Sequence, residues 1–249
     1  MKISIITACL NSEGTIRDTL ESIKSQSYDN FEHIVVDGKS GDRTLEIVDE
    51  YKKYFEIRII SEIDTGLYSA MNKGIRFASG EIICFLNSDD FYASDSVLRN
   101  VVDGFNYGNP DFVYGNIRMF SRESKIVRYW KTGDINKIPI IGKQIPHPAF
   151  FIKTEIICNL NAYFDESYKI AADLKQQLYV VYKFRRKGFY IDRLLVNMRL
   201  GGASTSCYSS YIKGWEESRR AYNEIFGFGG LIFVFFKVIS KLKNYTHHF

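Results

Sequence analysis

A ten-residue stretch, EIICFLNSDD at positions 81–90, constrains this chain more than any other. Ile82, Ile83, Cys84, Phe85 and Leu86 form an apolar run of strand length, too short for a globular helix. Its residues are apolar without alternation, which predicts a strand buried on both faces, as in the middle of a parallel sheet. The run stops at Asn87, Ser88, Asp89 and Asp90. In open α/β sheets the ligand crevice lies outside the carboxyl ends of the strands. Two adjacent carboxylates at such an edge repel each other unless something positive lies beside them. Taken alone, the same residues also suit a loop with an aspartate cap on the next helix.

The flanking sequence supplies the rest of such a sheet. Residues 3–7 read as a first strand, with Asn11 and Ser12 as turn and N-cap candidates. Ile16, Leu20 and Ile23 recur at helical spacing and predict an amphipathic crossover helix over 13–26. Residues 33–36 form a second strand, ended by Asp37, Gly38, Lys39, Ser40 and Gly41. Leu45, Val48 and Tyr51 share one face of a second helix, and residues 57–60 give a third strand. In DTGLYSAMNKG, at positions 64–74, a third helix starts near Leu67 or Tyr68, with Gly66 permitting a tight entry. Ser94 is a candidate cap for a helix carrying Val97, Leu98, Val101, Val102 and Phe105. Strand and helix alternation predicts a doubly wound α/β layout with right-handed crossovers. Asp37 closes its strand at the same edge as Asp89; the alternative is a cap on the next turn. That turn holds neither the dinucleotide fingerprint nor the P-loop string, which removes the main support for NAD or ATP.

The remaining bounds are permissive. At 249 residues, 45% apolar and 25% charged, the chain suits one large soluble domain, or one domain with a helical tail. A net charge of +4, with no nucleic-acid motif, argues against nucleic acid as a partner. Cys9, Cys84, Cys158 and Cys207 make no CxxC pair, and the first two read as buried thiols. The opening MKISIITACLNS lacks a long apolar region and reads as a strand. No run reaches the roughly 20 apolar residues that span a bilayer, so a cytoplasmic protein is expected.

In the second half, DFVYGNIRMF at 111–120 predicts a strand with an irregularity at its Gly-Asn pair, and 126–130 a partner strand. Trp130 suits either a sugar-stacking platform or ordinary packing. Pro146-His147-Pro148 excludes interior helix and predicts an extended segment. With no second histidine near His147, zinc is not indicated. Residues 168–187 read largely as helix, with Leu174, Leu178 and Val181 repeating. Asp173 stands there among Ile170, Ala171, Ala172 and Leu174, a carboxylate that needs a reason. Helix capping is the plain alternative to a functional role. Near the end, LIFVFFKVI is too short to span a membrane and too apolar for a free tail. It either packs back on the domain or lies in a membrane surface beside Lys237, Lys241 and Lys243.

Several strings occur together in a telling order: SIITACLNSEGTIRDTLESIKSQ, HIVVDGKSGDRT, SEIDTGLYSAMNKGIRFASGEIICFLNSDD, HPAFFIK, AADLKQQL and GGAS. In these the chain resembles the family 2 glycosyltransferases of the GT-A fold, in particular the bacterial enzymes of colanic acid, O-antigen or capsule assembly. The resemblance implies a Rossmann-like, mostly parallel sheet flanked by helices, with a helical C-terminal tail. It implies a nucleotide-sugar half at 1–105, an acceptor and catalytic half at 106–204, and a helical segment at 205–249. It places Thr7, Asn11, Asp37, Asp64, Asn72, Asn87, Ser88 and His147 around the donor, and makes Asp173 the catalytic base. The GGAS at 201–204 resembles a flexible segment that orders over the donor.

Family members commonly carry Asp-x-Asp where this chain has Asn87, Ser88 and Asp89, followed by Asp90. Asn87 brings no charge. Mn²⁺ or Mg²⁺ is therefore expected on Asp89 first and Asp90 second. The implied donor is a UDP-sugar, with a GDP-sugar second. The implied acceptor is an undecaprenyl-linked glycan at the cytoplasmic membrane surface, reached by an inverting displacement. One rival is a non-catalytic nucleotide-sugar or glycan-binding domain, suggested by Asn87. Another, a nucleotidyltransferase, needs a basic glycine-rich loop that ACLNSEGT does not supply.

Overall fold

The elements β1 (Ile3–Cys9), α1 (Ile16–Lys24), β2 (Phe31–Asp37), α2 (Thr44–Tyr51), β3 (Ile57–Ser61), α3 (Leu67–Phe77) and β4 (Ile82–Phe85) alternate as the apolar pattern requires. They belong to a computed structural model that describes residues 1–121, 125–135, 144–201 and 208–243. The four strands are parallel, with β1 between β2 and β4 and β3 beyond β2. Both faces are covered. Ile3, Ile5, Ile82, Cys84 and Leu86 enter one core, while Ile6, Ala8, Ile83 and Phe85 enter the other. Fully burying such a side chain contributes roughly 1.5–3 kcal/mol each. A slip that drew Asp89 between the layers would bury a carboxylate at a cost of several kcal/mol. The apolar run and its acidic end therefore fix where the NSDD turn emerges.

The chain continues through β5 (Phe91–Tyr92), α4 (Val97–Asn106), β6 (Phe112–Phe120), β7 (Ile126–Trp130), β8 (Phe150–Lys153), α5 (Thr154–Leu160), α6 (Ala172–Gln177), β9 (Gly188–Arg199), α7 (Tyr208–Phe226) and α8 (Gly230–Lys243). One sheet joins all nine strands in the order β3-β2-β1-β4-β8-β6-β9-β5, with β7 also on β6. This is the expected α/β Rossmann-like architecture with helical cover and a helical C-terminal region. The Gly-Asn irregularity is a register shift between β6 and β9 around Asn116. A Cβ on Gly115 would lie 2.5 Å from Leu195 Cδ1, so only glycine lets the two strands approach there.

Local expectations fail where tertiary contacts intervene. Helix α1 starts at Ile16, not Glu13, because Ser12 O accepts from the N–H groups of both Thr15 and Ile16 in a turn. Ser94 caps nothing: Phe91 and Tyr92 pair with β9 first, and Ser96 precedes α4. Gly66 does enter α3, with φ +149°. The helix expected over 168–187 is six residues of α6 followed by a π-helical turn, Leu178–Lys183. Residues 147–149 form a 3₁₀ turn rather than an extended segment, with Pro148 where its missing N–H costs no bond. Cys9 and Cys84 are buried free thiols, whereas Cys207 lies outside the described residues.

The C-terminal helices pack on the domain. Phe233 is fully buried and stacks on Tyr222 of α7, with ring centroids 4.7 Å apart. Lys237, expected beside a membrane, is turned inward, and its Nζ donates to Ser218 Oγ at 2.9 Å. The opposite face leaves Leu231, Ile232, Phe235 and Phe236 exposed, with Phe228 just ahead of the helix. Among the described residues no helix is long and apolar enough to cross a membrane.

Candidate donor and catalytic site

A cavity of about 770 Å³ opens at the carboxyl ends of β1 and β4. Its walls come from both halves of the chain: the NSDD turn, Asp64, the start of α3, the loop before α6, the β6–β7–β9 surface, and α7.

The NSDD turn is held by local bonds. Asp90 N–H donates to Asn87 O at 3.0 Å, and the Thr19 hydroxyl to Asp90 O at 2.7 Å. Ser88 Oγ lies 2.9 Å from Ser12 Oγ. Asp90 is 2% exposed, and its Oδ1 accepts the Arg199 N–H at 3.2 Å. Its Oδ2, and Asn87 Oδ1, are buried without a hydrogen-bond partner. Burial pushes both carboxyls upward from the ordinary range, and Asp90 further through the charge of Asp89. Arg199 opposes this: its Nη1 donates to Asp89 O at 3.3 Å and its Nη2 to the Asp18 carboxylate.

This donor set suits a hard cation. It consists of oxygens only, two of them unpartnered, with Asp89 on the cavity wall. Among the described residues no group of three or more His, Cys, Asp and Glu assembles to hold a metal alone. Mg²⁺ commonly takes one or two carboxylates and fills its shell with phosphate and water. Nearby, Asp64 Oδ1 lies 2.5 Å from the Lys73 ammonium, which Glu62 shares at 2.7 Å. These two carboxylates hold the lysine charged above its usual range.

Asp173, the second residue of α6, lines the other side of the cavity. The cap position of α6 is held by Ala171, and Asp173 lies in the first turn. Gln144 Nε2 donates to its Oδ2 at 2.9 Å. The Tyr68 hydroxyl lies 3.3 Å from its Oδ1 but 2.8 Å from Ile170 O, and one proton serves the nearer acceptor. Oδ1 is thus open to a further donor. His147 lies between the two acidic regions, stacked on Phe85 at 5.0 Å and edge-on to Phe164 at 5.6 Å. Burial lowers its proton affinity, and neither ring nitrogen has a partner.

The structure brings Asn11, Asp64, Asn87, Ser88, Asp89, Asp90, His147 and Asp173 to one cavity. Thr7, Asp37 and Asn72 are not on its wall. Thr7 Oγ1 donates to Leu86 O at 2.7 Å and lies 2.9 Å from His33 Nε2. Asp37 is fully buried and accepts from the Ser40 N–H, the Ser40 hydroxyl and the Ser61 hydroxyl. The Asn72 amide clasps Phe164, accepting its N–H and donating to its O, both at 2.9 Å. Each of these three was expected at the donor from the family resemblance. In this structure their polar groups bond to the protein partners just named. Of GGAS, Gly201 lines the cavity and 202–204 lie outside the described residues.

Other cavity residues had been passed over: Tyr68, Gln144, Arg128 and Tyr211. Arg199, at the end of β9, is a further cavity residue. A cation at the end of a strand, in a chain with a lone acidic pair at the same edge, was the available signal. Trp130 does line the cavity, under the Arg128 guanidinium at 4.9 Å, and with Ile117, Met119 and Met198 it forms an apolar wall.

A parallel sheet with an acidic turn at its carboxyl edge and a second carboxylate on the same cavity is the arrangement that the family resemblance implied for a GT-A fold. The pattern of Glycosyl transferase family 2 matches residues 4–169, and the chain belongs to that family. A PGL/p-HBAD biosynthesis glycosyltransferase of Mycobacterium bovis is 31% identical over 173 residues, covering 68% of this chain and 66% of that protein. The chain thus matches just under two thirds of that relative's length. Among solved structures, Staphylococcus aureus TarS superposes with a TM-score of 0.72 at 20% identity, over 90% of this chain and 39% of its own. The mannosyltransferase PcManGT of Pyrobaculum calidifontis, solved with GDP-Man and Mn²⁺, does so with 0.72 at 16% identity, over 97% and 70%. These likenesses show the fold.

Proposed function

We propose that this chain transfers a sugar from a UDP-sugar, or secondarily a GDP-sugar, to a lipid-linked glycan, inverting the anomeric centre, in surface-polysaccharide assembly such as O-antigen or capsule. The observation that carries the reading is the contrast across one cavity. The NSDD turn offers unpartnered oxygens on one side, and Asp173 offers an oriented carboxylate on the other. Asp89, with Asp90 behind it, would hold Mn²⁺ or Mg²⁺ against the donor diphosphate, where the ion supplies charge to the leaving group. Asp64 and Asn11 flank the nucleotide side. Asp173 accepts the proton of the acceptor hydroxyl as that oxygen attacks the anomeric carbon and the bond to diphosphate breaks. Gln144 orients the base through its bond to Oδ2. The apolar wall of Ile117, Met119, Trp130 and Met198 suits a sugar face.

Release of nucleoside diphosphate over a panel of UDP- and GDP-sugars, with a membrane-lipid extract as acceptor, tests the reading. One donor should support turnover, and Asp173→Asn should cut it by roughly 10²-fold while UDP affinity and Tm hold. Near-normal kcat in that variant would remove Asp173 as base. Donor binding without turnover on any donor would favour the binding-domain alternative. The exposed face of α8 is assigned to the membrane surface, through its apolar residues. Flotation with anionic liposomes should be lost in Leu231→Asp/Phe235→Asp; equal flotation would overturn that assignment.

A further inference from the structure

Asp173 stands two residues beyond a turn whose amides are held by a residue of the C-terminal helix pair. Glu217, in α7, is 7% exposed and lies 46 to 48 residues away in sequence from the groups it binds. Its Oε1 accepts the Lys169 N–H at 3.0 Å, and its Oε2 lies 3.2 Å from the same group. Oε2 also accepts from Ile170 at 2.8 Å and from Ala171 at 2.9 Å. Three successive amides thus converge on one carboxylate. Ala171 immediately precedes α6, and its carbonyl accepts the Lys175 N–H at 3.1 Å, so the turn sets the axis from which Asp173 projects. The middle residue of the same turn, Ile170, receives the Tyr68 hydroxyl that also approaches Asp173 Oδ1.

We propose that Glu217 is a positioning residue for Asp173, acting through the 169–171 turn, and that α7 is thereby part of the catalytic apparatus. The proposal rests on the reading of Asp173 as the base. Attachment of α7 does not depend on Glu217. Lys175 bridges Asp165 at 2.7 Å and Glu224 at 2.5 Å, the Arg220 guanidinium reaches Ser167 Oγ at 3.1 Å, and Ala221 is fully buried. What the carboxylate adds is orientation: hydrogen bonds to an ionised acceptor are roughly twice as strong as neutral ones. A glutamine would keep one oxygen and turn an NH₂ against N–H donors.

The test compares Glu217→Gln, Asp173→Asn and the double variant. The readouts are nucleoside diphosphate release from the active donor with a membrane-lipid extract as acceptor, UDP affinity, and Tm. Glu217→Gln is expected to lower kcat by about tenfold with UDP affinity unchanged. In the Asp173→Asn background it should change the residual rate little, because both act through one group. A purely structural staple would lower Tm and leave kcat below the melting range intact, which overturns the proposal. Equal factors in both backgrounds overturn it too, as does a parallel loss of UDP affinity. Near-normal kcat in Asp173→Asn removes the base reading itself, and the proposal with it. Low kcat in Asp173→Asn with normal kcat in Glu217→Gln removes only the proposal. Should the glutamine variant not fold, Glu217→Asp, which keeps the charge but shortens its reach, is read by the same measurements, with a fall in kcat at constant UDP affinity supporting positioning.

Discussion

Strands β2 and β4 flank β1, run parallel to it, and each leads into an aspartate at the same sheet edge, yet the two ends differ in kind. At β2, Asp37 is fully buried and surrounded by donors from Ser40 and Ser61. At β4, Asp89 and Asp90 are compensated only in part, by Arg199, with Asp90 Oδ2 and Asn87 Oδ1 unpartnered and both carboxyls raised by burial. Leaving a buried acceptor unmet costs roughly 1–3 kcal/mol, more for a charge. A satisfied carboxylate is a brace. An unsatisfied one beside a cavity is a place for a cationic ligand.

The largest effect should come from the unsatisfied end. Asp89→Ala is expected to weaken UDP binding in Mn²⁺ or Mg²⁺ by about 10²-fold, near 2.7 kcal/mol, and to leave the weak binding in EDTA unchanged. Calorimetric titration with and without the ion decides it, and equal affinities throughout would break the comparison. The satisfied end should respond in stability. Asp37→Ala strands the Ser40 and Ser61 donors and is expected to cost about 2 kcal/mol in denaturant unfolding, with UDP affinity of the folded protein retained. A tenfold loss of UDP affinity at constant stability would instead return Asp37 to the nucleoside site.

A second stability effect sharpens the contrast through pH. His33, in β2 beside Thr7 of β1, is buried, and burial lowers its pKa to about 3. The unfolded chain, with an ordinary histidine near 6.5, binds the extra proton between these values. The stability it contributes is therefore complete above pH 6.5 and falls toward pH 3, by at most about 1.4 kcal/mol per pH unit. His33→Gln should flatten urea-unfolding stability against pH between 6.5 and 4.5 relative to the parent. An unchanged slope would show that the histidine is not the source.

Much of the fold was legible because the relevant signals are local. The five apolar residues before Asn87 name a two-faced strand, and the spacing of Ile16, Leu20 and Ile23 names a helix packed on one side. The acidic turn and Asp173 stood out as carboxylates in settings that needed a reason, and the structure puts both on one cavity. That Thr7, Asp37 and Asn72 lie off the cavity wall was not legible, because position at a sheet edge or on a helix does not reveal which groups a side chain already satisfies.

The sequence by itself determined the alternation of strands and helices, the burial of β4 on both faces, and the place where the acidic turn leaves the sheet. Apolar periodicity and the cost of burying charge decide these within a few residues of chain. Only the tertiary structure decided which carboxylates are spent and which stand open. It also stopped α6 after six residues, turned Lys237 inward to Ser218, and carried Glu217 to the amides of 169–171. The physical reason is that a polar group's role is set by its partners, and here those partners arrive from distant segments whose approach no local pattern encodes.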